Sequence, residues 1–233
     1  MKAVILCGGL GSRLAEETHK IPKPMVKVGN EPILSHIIRI FKFYGINEFV
    51  IAAGYKKEVL KNYYENVSNI KNVNIIDTGE NTLTGGRLLR LKNILINEKF
   101  FFMTYGDGLS DINLDDLLKF HKSHKKIATV TAVHPPVRFG ELELEDDKVI
   151  DFEEKPQTKA GWINGGFFVL NPKVFNYIES DQTIFEREPM KRLSASGELM
   201  AYKHEKFWQC MDTLRDKSLL NKIWNENKAP WKK

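Results

Sequence analysis

Cysteine is nearly absent: Cys7 and Cys210 are the only two in 233 residues. Both sit in apolar or aromatic surroundings without metal-ligand spacing, so they read as ordinary buried thiols with no chemistry of their own. Long apolar runs are missing too. The longest, such as Ala3 to Cys7 and Phe100 to Met103, fall far short of the roughly 20 residues a bilayer crossing needs, and no membrane span is expected. Met1 and Lys2 lead into a short apolar stretch and then Gly8 and Gly9, too little for a signal-peptide core and without a cleavage site, so a cytoplasmic protein is expected. Neither sign of charge dominates. The 35 Lys and Arg against 30 Asp and Glu leave a net charge of +5, scattered along the chain, which suits an anionic small-molecule ligand and does not call for nucleic acid. Internal repeats, low-complexity segments and Pro/Gly/Ser linkers are also lacking. With 42% apolar side chains the length is enough for one sizeable α/β core, and a single domain over residues 1–233 is expected.

What is present is an alternation of periods. Lys2 to Cys7 is a β-branched run ending in glycines, the pattern of a buried parallel strand entering a turn. After Pro32, residues Ile33, Leu34, Ile37, Ile38, Ile40 and Phe41 have helical spacing, closed by Tyr44 and Gly45. Glu48 to Ala53 reads as a strand, Lys56 to Tyr64 as a helix, Val73 to Asp77 as a strand, Gly86 to Ile96 as a helix and Phe100 to Tyr105 as a strand. This predicts an α/β fold with a doubly wound, mostly parallel, Rossmann-like sheet flanked by helices. Beyond a helix over Leu114 to His124 the pattern becomes strand-rich: Ile127 to Val133, Gly140 to Leu144, Val149 to Glu153 and Ile163 to Leu170. A small antiparallel extension, making the sheet mixed, is expected there, with a last helix from about Thr213 to Asn225. The tail is polar apart from Pro230 and Trp231 and is either frayed or docked by its tryptophan. The aromatic group Phe41, Phe43, Tyr44 and Phe100 to Phe102 is assigned to the core, and the histidines, including His121 and His124, to surface or packing positions.

Chemistry concentrates at the head of the first strand. In GGLGSRL, Gly8 to Leu14, glycines let the backbone approach a ligand closely and aim N–H groups at phosphate oxygens, while Arg13 offers a planar fork to a polyphosphate. Two other phosphate motifs fail: Leu14 stands where a dinucleotide site needs its third glycine, no acidic residue ends the second strand, and the Gly-Lys-Ser/Thr of a Walker loop is absent. In IPKPM, Pro22 and Pro24 are expected to hold Lys23 in an extended segment, adding positive charge for a triphosphate and a departing pyrophosphate. Asp107, in TYGDG, follows the strand Phe100 to Tyr105 and should lie at the carboxyl end of the sheet, where open α/β folds bind ligands.

GGLGSRL followed by PKPM resembles the signature of the sugar nucleotidyltransferases. DTGENTLTGGRL, TYGDGLSDIN, FEEKP, WINGGFFVL and FWQCMDTLRDK extend the resemblance along nearly the whole chain and bring it nearest to the glucose-1-phosphate cytidylyltransferases within that family. The resemblance implies a cytidylyltransferase that moves CMP from CTP to a sugar 1-phosphate, giving a CDP-sugar and pyrophosphate. It implies that Leu6, Gly8, Gly9, Gly11, Ser12, Arg13, Lys23, Thr84, Gly85, Gly86, Arg87 and Asp107 hold the nucleotide, and that Tyr105, Gly106, Glu154, Lys155, Asn164, Gly165 and Gly166 hold the acceptor. Asp107 and Asp212 would bind Mg²⁺ with phosphate oxygens and water. Arg13, Lys23 and Lys155 would neutralise charge as an acceptor-phosphate oxygen attacks the α-phosphorus, a reaction that needs no general base. Exposed backbone groups near Gly85 and Gly86 would read the edge of the pyrimidine, with Arg87 reaching a phosphate or the base carbonyl. Between Tyr64 and Val73, where the resembled enzymes carry a long insertion, the chain has only Glu65 to Asn72, which leaves the acceptor pocket and any homo-oligomer open. A non-sugar phosphorylated acceptor, another nucleoside triphosphate and a catalytically silent nucleotide-binding module remain as alternatives.

Overall fold

The computed structural model describes residues 1–135, 141–153 and 161–233, with the side chains of 141–144 and 151–153 left out. Strand β1 is Lys2–Cys7, followed by the short helix α1, Ala15–Thr18, the two-residue strands β2, Lys27–Val28, and β3, Glu31–Pro32, and helix α2, Ile33–Phe43. Then come β4, Glu48–Ala53; α3, Lys57–Asn62, which runs into a π turn over Tyr63–Val67; β5, Val73–Asp77; α4, Thr84–Arg90; and α5, Lys92–Leu95. The middle of the chain supplies β6, Phe101–Tyr105; β7, Gly108–Ser110; α6, Leu114–His124; β8, Ala128–Val133; β9, Glu141–Glu145; β10, Lys148–Glu153; and β11, Ile163–Leu170. The last third adds a 3₁₀ turn at Pro172–Tyr177, α7, Glu188–Ala195, β12, Leu199–His204, β13, Trp208–Cys210, and α8, Leu214–Asn225.

The main sheet has seven strands in the order β12-β8-β11-β6-β1-β4-β5. All neighbours are parallel except β11, which runs antiparallel to both β6 and β8. The expected antiparallel extension thus takes two forms, a reversed strand inside the sheet and a separate β9–β10 hairpin. Strand β1 shows why the sheet is double-sided. Ala3, Ile5 and Cys7 join one core with α2, α6 and α8, whereas Val4 and Leu6 join a second core with α4, α5 and α7. A strand buried on both faces carries apolar residues at every position, as this one does.

Among the described residues no helix is long and apolar enough to cross a membrane. The tail is docked: Trp231 is buried, stacks on Phe207 with ring centroids 5.2 Å apart and meets the edge of His36. Nearby, Gly29 in the β2–β3 turn adopts φ +62°, and a Cβ there would lie 2.1 Å from the Trp224 indole nitrogen, so α8 clamps that turn. One aromatic expectation fails. Phe43 is 61% exposed, because the helical period of α2 turns it away from the face that buries Ile40 and Phe41; it meets Tyr44 edge-on, and the Lys233 ammonium lies over its ring. Phe101 and Phe102 are buried as expected.

His121 and His124 are packing residues that share the Thr129 hydroxyl, at 2.9 Å and 2.7 Å. His121 Nε2 has no partner among the described residues, and burial, helped by His124, pulls its pKa down to about 4. An unfolded histidine binds its proton near pH 6.5, so between there and pH 4 the unfolded chain holds a proton that the native state refuses. Stability is therefore expected to fall as the pH drops from 6.5 to 4, and urea midpoints of His121→Leu should show a shallower acid loss than the parent. Trp231→Ala should cost about 3–5 kcal/mol in the same measurement at pH 7, the usual range for removing a buried indole.

Candidate active site

The carboxyl ends of β1 and β6 lie side by side, and their following loops, with the first residues of the reversed β11, enclose a cavity of about 500 Å³. Its lining includes Leu6, Gly8, Gly9, Gly11, Ser12, Arg13, Lys23, Thr84, Arg87, Tyr105, Gly106, Asp107, Asn164, Gly165, Gly166 and Asp212, all assigned to a site from sequence. Glu154 and Lys155 lie outside the described residues. Gly85 and Gly86 do not line the cavity.

Lys23 is at its centre. Its Nζ sits 2.5 Å from Asp107 Oδ2 and 2.5 Å from Asp212 Oδ1, and Arg13 Nη1 lies 2.8 Å from Asp212 Oδ2. Burial pushes the Lys23 ammonium toward neutrality, but the two carboxylates outweigh it and hold its pKa above the ordinary value. Burial likewise pushes the Asp212 carboxyl up, and the Lys23 and Arg13 charges more than offset that, leaving it below the usual range. Lys23 is 13% exposed and Arg13 71%, so one cation is fixed in the site while the other stands at its mouth. The segment around Lys23 is not extended as expected. Lys23–Met25 form a single 3₁₀ turn, closed by Met25 N–H to Pro22 O at 2.8 Å and Val26 N–H to Lys23 O at 3.0 Å. Pro22 and Val26, on either side of the turn, are extended, and Pro24 is accommodated inside it because the fixed φ of its ring suits a tight turn.

Asp107 and Asp212 are brought together by a small antiparallel ribbon. β7 pairs with β13, Cys210 opposite Gly108, and Met211 N–H donates to Asp107 O at 2.9 Å. Asp212 is then locked by α8. The Asp216 carboxylate accepts from the amides of Asp212, 3.1 Å, and Thr213, 2.9 Å, while Thr213 and Asp216 form a reciprocal cap on the helix. Trp208, on the same ribbon, donates its Nε1–H to Gly165 O at 2.7 Å and ties the ribbon to β11.

The glycine loop rests on a buried guanidinium. Arg87, 4% exposed, donates to Gly8 O at 2.8 Å, Gly79 O at 2.7 Å, Thr78 Oγ1 at 2.8 Å, Glu80 O at 3.1 Å and Ala53 O at 3.2 Å. Burial lowers its pKa, and all these partners are neutral oxygens. Its two terminal nitrogens are spent on these five oxygens, one in the glycine loop and four in residues 53 and 78–80, where the expectation had Arg87 reaching out to a phosphate or base. Gly11, at φ +65°, turns the loop, and a Cβ there would meet Thr18 Cγ2 at 2.8 Å. The amides of Gly9 and Gly11 donate to no protein group among the described residues, as a phosphate cradle requires.

Gly85 and Gly86 also differ from expectation. Both are buried, their amides donate to Thr183 O at 2.9 Å and 3.2 Å, and a Cβ on Gly86 would fall 2.3 Å from Asp181 O. Their purpose is close packing of α4 against residues 181–183, so they offer no edge to a base. Thr82, Leu83 and Thr84 line the cavity instead. Across from them Gly166, at φ +80°, has the Tyr105 ring where a Cβ would be, 2.7 Å from Cδ2: the flat ring its missing side chain admits is the protein's own. Sequence reasoning missed Thr82, Leu83, Thr104 and Trp208 as lining residues, and missed Asp216 behind them. Each had a signal in its place within a quoted motif: Thr82 and Leu83 in DTGENTLTGGRL, Thr104 in TYGDG, Trp208 and Asp216 in FWQCMDTLRDK. Cys210, read as a buried thiol, is half-buried at the cavity wall. Burial and then the Asp212 charge push it up to about 12, so it stays protonated near neutral pH.

The nucleotidyl transferase family model matches residues 2–222. The chain is 46% identical over 254 aligned positions to the glucose-1-phosphate cytidylyltransferase of Salmonella typhi, covering 100% of this chain and 99% of that protein. The alignment is longer than the 233 residues here, so the relative carries residues with no counterpart in this chain. Among solved structures, HddC from Yersinia pseudotuberculosis, complexed with GMP-PN, matches with a TM-score of 0.75 and 23% identity over 96% of this chain and 99% of that one. UDP-glucose pyrophosphorylase complexed with UDP-glucose also gives a TM-score of 0.75, with 14% identity over 97% and 98% of the two chains. At such identities these two likenesses concern the fold.

A methyl group on Gly8 would lie 2.0 Å from the Arg87 guanidinium and must push it off the loop carbonyls. Gly8→Ala is expected to weaken CTP binding about tenfold or more in calorimetry, the equivalent of losing one or two such hydrogen bonds, while far-ultraviolet dichroism is preserved.

Proposed function

This chain belongs to the nucleotidyl transferase family, and from that membership we propose the following reading of its site. The protein transfers CMP from CTP to a sugar 1-phosphate of the glucose 1-phosphate type, releasing pyrophosphate. The substrate pair is supported by the full-length similarity to the Salmonella enzyme. The site assignment is carried by one observation, the ammonium of Lys23 shared by Asp107 and Asp212 at the head of the sheet.

In this reading the glycine loop and Arg13 hold the triphosphate. Tyr105, Gly106, Asn164, Gly165 and Gly166 receive the acceptor, with Glu154 and Lys155 as further acceptor residues. An acceptor-phosphate oxygen, already anionic near neutral pH, forms the new bond to the α-phosphorus, and the bond to the β-phosphate oxygen breaks with pyrophosphate leaving. The attacking group carries no proton that must be removed, so no base is needed. The protein's contribution is to align two polyanions and offset their charge with Arg13 and Lys23. The donor set fits a divalent cation. Two carboxylates already converge on one positive centre, and Mg²⁺ is characteristically bound by one or two carboxylates plus phosphates and water, which accords with the absence of a larger ligand cluster among the described residues. When bound by Asp107 and Asp212, Mg²⁺ would stabilise charge on the phosphates. The reading places the protein in the cytoplasm, as one nucleotidyltransferase domain.

Pyrophosphate release should be measured with CTP, UTP, dTTP and GTP against glucose 1-phosphate, mannose 1-phosphate and phosphocholine. CTP with glucose 1-phosphate is expected to turn over fastest. Preference for phosphocholine, or no release with any pair, would overturn the proposal. Lys23→Ala should lower kcat about a hundredfold or more, the size of effect seen when one charge-stabilising donor is removed. It also leaves two carboxylates facing each other, so its melting temperature should rise more on adding Mg²⁺ than that of the parent.

A further inference from the structure

The two walls of the cavity are joined by a residue that lies outside its lining. Glu186 lies between Phe185, which is fully buried, and the start of α7, outside the lining of the cavity. One carboxylate oxygen, Oε1, accepts from the Tyr105 hydroxyl, and the other, Oε2, accepts from Thr84 Oγ1 at 2.6 Å. Thr84 Oγ1 in turn accepts the Phe185 amide at 2.9 Å, which leaves its own proton to point at Glu186. Thr84 opens α4 on the nucleotide side of the cavity. Tyr105 belongs to the acceptor side, with its ring under Gly166, whose amide is held by Asn164 Oδ1 at 2.8 Å. Two residues beyond Tyr105 comes Asp107. A single carboxylate thus fixes the rotamers of one residue from each wall. A carboxylate, acceptor-only at both oxygens, takes both hydroxyl donors at once; a carboxamide keeps one acceptor oxygen and at the other position offers an NH2, so that hydroxyl would have to turn and accept instead.

We propose that Glu186 is a positioning residue that sets the nucleotide wall and the acceptor wall relative to each other through Thr84 and Tyr105. The inference rests on the cytidylyltransfer reading above for the identity of the two ligands. Removing the carboxylate leaves two hydroxyls without their acceptor and frees both side chains, which line the same cavity.

The test is steady-state kinetics on the full chain, with Tyr105→Phe, Thr84→Val, Glu186→Ala and the double variant Glu186→Ala/Tyr105→Phe. Tyr105→Phe removes one oxygen and keeps the ring, so it guards against loss of folding. It should raise the acceptor KM about tenfold and leave the CTP KM within about twofold, the effect of one charge-assisted hydrogen bond. Thr84→Val should do the reverse, and Glu186→Ala should raise both. The double variant should be no worse than Glu186→Ala alone, because both changes break the same link. If Glu186→Ala lowers only the melting temperature and leaves both KM values within about twofold of the parent, the carboxylate is merely structural and the inference falls. Fully additive effects in the double variant would overturn it as well. A parent protein that releases no pyrophosphate from CTP with any sugar 1-phosphate would instead bring down the functional reading, an outcome visible before any Glu186 variant is measured.

Discussion

Two carboxylates sharing one cation set the terms for the rest of the site. At the separations seen around Lys23, an unbalanced pair of like charges in partly buried surroundings repels by several kcal/mol, about 4 kcal/mol at 4 Å for an effective dielectric near 20. The fold nevertheless brings Asp107, from the middle of the chain, to Asp212, near its end, using the β7–β13 ribbon for one and the cap of α8 for the other. That effort is stable because a positive centre lies between them. In the free protein the centre is an ammonium on a turn stiffened by Pro22 and Pro24, and the same pair of oxygens is suited to a divalent ion arriving with phosphate.

A second buried cation supports the opposite side of the cavity. The two terminal nitrogens of Arg87 face five neutral oxygens, sharing four N–H donors in one plane, a task beyond the three donors of an ammonium. Arg13, Lys23 and Arg87 outnumber Asp107 and Asp212 along the lining described, so the cavity retains a positive bias that a polyanion satisfies. The division of labour differs from a row of phosphate clamps. Arg87 shapes the loop from below, whereas Arg13 stands exposed at the entrance, paired with Asp212.

Much of this was legible in the sequence, for definite reasons. β1, β4, β5 and α6 were predicted with the bounds observed or within a residue, since continuous β-branched runs and amphipathic spacing leave few alternatives. β12 and β13 were not read. β12 mixes Lys203 and His204 with apolar residues at an exposed sheet edge, and β13 exists only through pairing with β7. The cavity residues of GGLGSRL and TYGDG followed from strand ends, but the meeting of Asp107 with Asp212 came from family resemblance alone. Errors arose where burial decides. Nothing in TGGRL distinguishes glycines packed on Asp181 and Thr183 from glycines facing a ligand, or an arginine under a loop from one above it. Glu186 is one glutamate in FEREP, and its importance depends on hydroxyls about 80 to 100 residues distant in sequence.

The reversal of β11 reaches beyond the site. Because β8 pairs only with β11 and β12 in the main sheet, it has no neighbour to join when it leaves the ribosome. The half made of β6, β1, β4 and β5 contains every ladder it needs by residue 105, while β8 must wait for a strand completed at residue 170 and then for β12 at residue 204. Co-translational assembly is thereby divided in two: an early nucleus already owns the glycine-loop strand, and the cavity wall made by Asn164, Gly165 and Gly166 of β11 is inserted late, between an existing sheet edge and a strand held in reserve.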